Sequence, residues 1–424
     1  MEKLIINNFA GIDRLEMELN KINIIIGTQA SGKSISAKLL FYFKSFFGEI
    51  QQGVEDNKSK REIDKEHLNR FSTYFPKESW INKNFDIKYM VGETIMSIKR
   101  TEGRPVRFEY SEDVKDLIKR ARRILRKEQE RLKKSKSIGR FEIALNFSNK
   151  FNRLLEERIS ANSSFNQVFI PAGRSFFSNI QSSIFSFLSS NKSIDPFLIQ
   201  FGSFYENFKR FAVDDFFKRK NKAEREFDGL VSKILNSKYI REKEKDFLVH
   251  DDERKVNLSN ASSGQQEIFP LLLILKTLLR VSFSSNGGAV LYIEEPEAHL
   301  FPNAQRIVVK LLARLFNSTN NNFQIIVTTH SPYILSSFNN LMYAGYLQER
   351  LNSQERLNSL EELYSVIPKS EIILPSDVFA YSLTSKRILE AIIDKETQLI
   401  SQNVLDGVSN KISIEFGRLM DLET

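Results

Sequence analysis

The sequence predicts an α/β fold whose central sheet is covered on both faces. Three stretches carry that expectation: 21-KINIIIG-27, 290-VLYIEE-295 and 323-FQIIVTTH-330. In each, apolar residues follow one another without the polar alternation of a strand that has one wet face. The first two give way to helical patterns, and strands alternating with helices build parallel sheets.

Taken in order, residues 1–34 read as strand, turn, strand, strand and glycine loop. A helix follows, carrying Leu39, Leu40, Phe43 and Phe47. Residues 85–100 alternate as a hairpin or meander does. Residues 112–136 predict a strongly basic helix with an apolar stripe at Val114, Leu117, Ala121, Leu125 and Leu132. A strand is expected at 167-QVFIP-171, then a Phe- and Ser-rich helical lobe over residues 176–237. A polar hairpin turns at 250-HDDE-253. Next come 262-SSGQQ-266 opening an apolar helix, the 290–295 strand, a helix over 303–316 and the 323–330 strand. The tail 371–424 suggests two short strands and a last amphipathic helix with Val404, Val408, Ile412, Phe416 and Leu419 on one face. There is no internal repeat, and low complexity is confined to short loops such as 317-NSTNNN-322.

Composition narrows the classes. With 424 residues, 41% hydrophobic and 27% charged, the chain is long enough for a sizeable core and more than one domain. Its 35 phenylalanines read first as core filling. It has no cysteine, which excludes disulfides, thiol catalysis and cysteine-held zinc and fits a reducing compartment. The apolar run 268–281 is short and broken by Lys276 and Arg280, so no membrane span is expected. The N-terminal stretch lacks the apolar core of a signal peptide, and the reading is cytoplasmic. A net charge of +9 permits nucleic-acid binding without specifying it.

The chemistry begins at 27-GTQASGKS-34, which fits G-x-x-x-x-G-K-S between a buried strand and a helix. In such a loop the amides of Gly27, Thr28, Gln29, Ala30, Ser31 and Gly32 close around phosphates. Lys33 supplies a point charge to the β- and γ-phosphates, and the Ser34 hydroxyl can sit on Mg²⁺. The expected ligands are therefore ATP and Mg²⁺. Adjacent glutamates at a buried strand end, Glu294 and Glu295, would repel each other without a cation. Beside a phosphate-binding loop, Glu294 is expected at the metal shell and Glu295 as acceptor of a proton from the attacking water. Residues Ser262, Ser263, Gly264 and Gln265 put hydroxyls and amides at a helix start; taken alone they read first as an ordinary cap, and their position just before the Glu294 strand is what makes them a candidate second phosphate-facing set. The chain has four histidines, and His330 stands at the C-terminal end of a buried strand, where ligands of parallel sheets bind. A γ-phosphate contact is expected of it.

These four motifs in this order resemble the ABC-type ATPase heads of the SMC, Rad50, RecF and OLD group. The resemblance is closer to the OLD-like AAA-15/AAA-21 ATPases, whose acidic segment typically reads EEPEAHLHP where this chain has 294-EEPEAHLFP-302. The segments 261-ASSGQ-265, 6-INNFAGI-12 and 170-IPAGRS-175 are similar to the family's signature, opening strand and I-P-A-x-R-S segment.

The resemblance implies a P-loop NTPase fold of the ABC-head type, with a mixed central sheet, an antiparallel side sheet and an inserted helical lobe or arm. It implies a core in two halves, 1–110 and 251–345, with a basic helical arm at 111–164, a lobe at 165–250 and an extension packed on the head at 346–424. It implies two heads that sandwich two ATP molecules. Lys33, Ser34, Glu294, Glu295 and His330 would act in cis, and Ser262 to Gln265 would face the γ-phosphate of the opposite head. Residues Glu297 to His299 would form the loop linking the two sites. No glutamine stands after the 167–171 strand where relatives couple their halves, and Gly173 or Arg174 takes that place. No cysteine pair can form a Rad50-type hook, and residues 331–424 are too few for a TOPRIM nuclease. The reading is an ATPase subunit that switches a separate effector protein, as in antiphage systems such as PARIS or Septu. It would self-associate as a head dimer or larger homo-oligomer. The alternative is a RecF- or Rad50-like DNA-repair ATPase, with residues 112–136 either tracking DNA phosphates or simply solvated above apolar neighbours.

Overall fold

The computed structural model describes residues 1–80, 84–134, 139–179, 194–213, 221–243, 245–282, 288–318, 322–384 and 387–401. The N-terminal strands β1 (Glu2–Phe9) and β2 (Ile12–Leu19) pair antiparallel, as the turn at Ala10–Gly11 requires. With β4 (Phe85–Val91), β5 (Thr94–Arg100) and β6 (Arg107–Tyr110) they form an antiparallel side sheet of order β2-β1-β4-β5-β6.

The central sheet collects β3 (Ile22–Gly27), β7 (Asn166–Ile170), β11 (Ala289–Glu294), β12 (Phe323–Thr329), β13 (Val378–Leu383) and β14 (Leu389–Ala391). Its order is β14-β13-β3-β12-β11-β7, parallel throughout except for the β14 edge. The expected mixed sheet, side sheet and inserted helices are all present. The stretch expected as an extension packed on the head does more: β13 hydrogen-bonds along the whole of β3. Position along the chain did not reveal this, because sheet neighbours are chosen by packing rather than by proximity in sequence.

Why the runs are unbroken is visible in the two cores. Side chains alternate across a strand. On β3, Ile25 joins one core while Ile22, Ile24 and Ile26 join the other. The first core packs the sheet against α1 (Lys33–Glu55), which also carries the side sheet on its far flank. That helix is apolar nearly all round, as a helix between two layers must be. Phe41, Phe43, Phe46 and Phe47 are each at most 2% exposed, and burying one such side chain stabilises by about 1.5–3 kcal/mol.

One charged pin crosses this layer. Lys44 of α1 donates to Glu2 Oε1 of β1 and to Gln324 Oε1 of β12, both at 2.6 Å. The Tyr89 hydroxyl and Gln324 Nε2 also donate to the Glu2 carboxylate, at 2.8 and 2.9 Å. Burial pushes the Glu2 carboxyl up, but the Lys44 ammonium and these hydrogen bonds outweigh it and hold the group below the ordinary glutamate value.

Helix α2 (Lys60–Tyr74) opens with a capping box, Ser59 with Glu62. The expected basic helix is α3 (Glu112–Lys134); Val114, Leu117, Ala121 and Leu125 are buried, and the side chain of Leu132 lies outside what is described. It pairs with α4 (Arg140–Arg158). The lobe contains α5 (Phe176–Asn179), α6 (Pro196–Val213) and α7 (Lys222–Leu235). A three-stranded antiparallel sheet follows, β8 (Lys238–Glu242), β9 (Lys245–Val249) and β10 (Lys255–Asn257), with the expected turn at His250–Glu253 between the last two. The second core packs the sheet on α8 (Ser263–Ser282), α9 (Pro302–Asn317) and α10 (Pro332–Ser353), and α11 (Leu357–Val366) follows. The expected last helix falls at 402–424, outside the described residues.

Candidate functional site

Strand β3 ends at Gly27, and the loop to Lys33 turns directly into α1. Gly32 caps the helix at φ +108°, where a Cβ would strain the backbone and meet Ile12 Cδ1 at 2.9 Å. Thr28, Gln29, Ala30 and Ser34 are exposed, whereas Ser31 and Lys33 are buried. Lys33 Nζ donates to the Gly27 and Thr28 carbonyls, each at 2.7 Å. Burial pulls the Lys33 ammonium below the ordinary lysine value, and Glu295 and Glu297 counter this in part. The first turn of α1 has no acidic side chain, so its unpaired amides and dipole favour an anion.

Strands β11 and β12 run parallel beside β3 and end at the same edge of the sheet. This brings the acids and the histidine to the loop. Glu294 is 6% exposed; its Oε2 accepts a long bond from Ala172 N at 3.4 Å, and its Oε1 is buried without a hydrogen-bond partner among the described residues. Burial raises its carboxyl above the ordinary glutamate value, opposed by Lys38 and by a hydrogen bond from the Ser34 side chain. An orphaned buried carboxylate oxygen beside a hydroxyl is a pair of hard oxygen donors. It suits a Mg²⁺ ion whose other ligands are water and phosphate. The residues present therefore fit that ion.

Glu295 turns the chain out of the strand at φ +44°, a left-handed conformation that non-glycine residues adopt at a cost. Its amide is held by Thr328 O at 2.9 Å. Its carboxylate lies 2.8 Å from His330 Nε2, and His330 Nδ1 lies 3.4 Å from Lys33 Nζ. An ammonium can only donate, so Nδ1 accepts and Nε2 carries the proton given to Glu295. Glu297 Oε1 accepts from Thr329 Oγ1 at 2.8 Å and from the His330 amide at 2.6 Å, which fixes the strand end. The sequence-predicted Lys33, Ser34, Glu294, Glu295 and His330 thus meet in one place. They can bind phosphate, hold a divalent ion and accept a proton.

The stretch 262–265 stands elsewhere. Ser262 caps α8 reciprocally with Gln265, whose Nε2 donates to Leu235 O at 2.6 Å. Ser262 and Ser263 are exposed. Among the described residues no hydrogen bond joins 262–265 to 27–34. Gly264 instead abuts the loop after Glu295, where a Cβ would meet His299 O at 2.7 Å.

Sequence reasoning left Arg174 as an alternative to Gly173 for one position, and the structure gives it a distinct place. Its side chain is fully buried. The guanidinium donates to Glu294 O at 2.9 Å, Glu295 O at 3.0 Å and Pro171 O at 3.2 Å. Its Nε donates to Glu267 O at 3.1 Å and lies 3.2 Å from Glu267 Oε1. Glu267 in turn accepts from the amides of Arg174 and Ser175. Burial pushes Glu267 up, but Arg174 and those amides hold its carboxyl below the ordinary value. The available signal was a pair of lone charges, Glu267 at the head of an apolar helix and Arg174 just past an apolar strand.

Against known families, the AAA ATPase domain (AAA_15) matches residues 1–210 and 206–335. No curated protein gives a significant match. Among solved structures, the chain is similar to an Smc head bound to the C-winged helix domain of ScpA. That pair has 11% identity, 79% of this chain and 90% of that chain covered, and a TM-score of 0.40. The Smc head with coiled coil and joint from Pyrococcus yayanosii gives 10% identity, 96% and 100% coverage and 0.39. The recombination mediator RecF with ATP gives 12% identity, 77% and 92% coverage and 0.33.

Proposed function

Because the chain belongs to the AAA ATPase domain family over residues 1–335, we propose that it hydrolyses ATP with the residues gathered at the end of β3, β11 and β12. The observation that supports this reading most is the chain of contacts Lys33–His330–Glu295 beside the Ser34–Glu294 pair. Lys33, buried among carbonyls, moves its ammonium onto the β- and γ-phosphates. The loop amides and the α1 dipole hold the anion. Ser34 and Glu294 would hold Mg²⁺, which when bound neutralises phosphate charge. Glu295 takes the proton from the attacking water, and His330, fixed through Glu297, orients that carboxylate and faces the γ-phosphate.

The exposed serines of 262–265 lie apart from the chain's own phosphate loop, which favours completion of the site by a second copy. Two heads closing on ATP then give a switch. The EEPEAHLFP segment resembles that of ATPases which control a separate effector in antiphage defence, and that is the role proposed, in the cytoplasm. Among the described residues no helix is long and apolar enough to cross a membrane. Co-purification with the product of a neighbouring gene tests the effector.

The enzymatic claim is tested by Glu295→Gln. Turnover is expected to fall about 10²–10⁴-fold with ATP still bound, and a trapped dimer should appear in light scattering. Hydrolysis at the wild-type rate would remove Glu295 from its role.

A second reading, DNA binding, has its own observation. Lys119, Arg123, Arg126 and Lys127 are exposed on α3 at helical spacing and share no salt bridge among the described residues, unlike Arg120 and Arg131. Reversing these four to glutamate should abolish salt-sensitive duplex binding. Binding unchanged by the reversal would dismiss this face.

A further inference from the structure

Three elements converge on Arg174: its own segment after β7, helix α8 and the end of β11. The segment after β7 supplies the guanidinium. Helix α8, which begins with the exposed serines, supplies Glu267 one turn in. The end of β11 supplies the Glu294 and Glu295 carbonyls, and Pro171 the last acceptor. Among the described residues no hydrogen bond or ion pair joins Arg174 to residues 27–34. The Arg174 side chain is itself fully buried, and its three nitrogens all donate to these acceptors.

We infer that the Arg174–Glu267 pair is a positioning strut that transmits the seating of α8 to the backbone of Glu295. The inference rests on the ATPase reading above for its catalytic meaning, and on hydrogen-bond geometry alone for the strut.

Glu295 sits at a left-handed φ, which persists only where its surroundings over-determine it. Three backbone bonds do so: its amide donates to Thr328 O, and its carbonyl accepts from Arg174 Nη2 and from Ala298 N. The Glu295 carboxylate is therefore aimed by a peptide whose carbonyl is gripped by the same guanidinium that grips α8. Glu267 grips back through both its carboxylate oxygens, on the Arg174 and Ser175 amides. A fork that links two elements through fixed directions resists both rotation and shift. When another head presses on the Ser262–Ser263 end of α8, displacement reaches Glu267 within one helical turn and passes through Arg174 to Glu295. Packed cores convert such small shifts into a change of state rather than absorbing them. The device makes water activation depend on the helix being engaged, so that one head alone is idle.

The test uses the full chain with Arg174→Lys and Glu267→Gln. Lysine keeps the charge and loses the fork, and glutamine keeps the shape and loses the charge. Kinetically, kcat should fall about tenfold to a hundredfold while KM for ATP stays within about threefold, as expected for a misaimed group outside the binding loop. Adding Ser262→Arg, which blocks the helix start, should cost no more in the Arg174→Lys protein than the larger single loss, because both act on one route. Independently of turnover, amide exchange of residues 291–300 should quicken in both variants while residues 33–55 keep their protection. Multiplying losses in the combined variant, or unchanged exchange at 291–300, would overturn the strut. A wild type that binds but does not turn over ATP would remove the hydrolytic reading, and the exchange measurement would still decide the strut. Where Arg174→Lys unfolds, the Glu267→Gln protein carries both measurements.

Discussion

Replacing Lys44 by methionine removes one end of the pin between the two sheets. Lys44 is 3% exposed and donates to both Glu2 and Gln324. Without it, the Glu2 carboxylate keeps the Tyr89 hydroxyl and Gln324 Nε2 but has no counter-charge. Leaving a buried charge unpaired in this way costs about 3–5 kcal/mol. Urea unfolding followed at Trp80 reads this directly, since the single tryptophan is buried in the same core against Phe9 and Phe85. The pH dependence gives a second constraint. In the wild type the Glu2 carboxyl is held below its ordinary value. Its contribution is therefore complete above about pH 4.3, the unfolded carboxylate value, and is lost as pH falls through the lower folded value. In Lys44→Met, burial dominates and drives the carboxyl upward, so the variant's penalty should be largest at pH 7 and shrink as pH approaches 5. The double variant Lys44→Met/Glu2→Gln should recover most of the loss. A penalty under about 1 kcal/mol at pH 7, below what a broken buried pair costs, or one that does not change with pH, refutes the reasoning.

Two further expectations concern the site. Alanine at Gly264 would normally favour a helix by about 0.5–1 kcal/mol. Here its Cβ meets the His299 carbonyl at 2.7 Å, so a loss of about 1–3 kcal/mol in stability and a lower turnover are expected, by thermal melting and phosphate release; a stabilised variant contradicts the contact. Glu294→Gln keeps the shape of the buried side chain and removes its charge. The Mg²⁺ concentration that half-saturates ATP binding should rise about tenfold or more by titration calorimetry, and an unmoved Mg²⁺ dependence excludes Glu294 from the ion.

The sequence carried the layers well where burial is symmetric. The mostly apolar runs at 22–27, 289–294 and 323–329 are strands buried on both faces, as their lack of polar alternation implies. The phosphate loop, the acids and His330 were legible because each ends such a strand, and parallel registration brings the three ends together. The partners of β13 were not, because 378-VFAYSL-383 shows only that it is a strand and its place beside β3 depends on faces far away in the chain. Lys44 within 41-FYFKSFF-47 and Glu267 within α8 announce buried charges, but the pairing rules that name Glu2 and Arg174 operate in space.

Placing β13 beside β3 also sets an order of assembly. The strand that leads into the phosphate loop is flanked on one side by β12 and on the other by β13, both drawn from the last third of the chain. Until a ribosome has released residue 383, β3 has an open apolar edge, although α1 and the side sheet can already collapse around it. Leu383 O comes so near Gly27 that a Cβ there would lie 2.3 Å away, so the mouth of the loop takes its final shape against the last residue of β13. The mouth of the phosphate loop is thereby completed only once β13 has been made and has paired with β3.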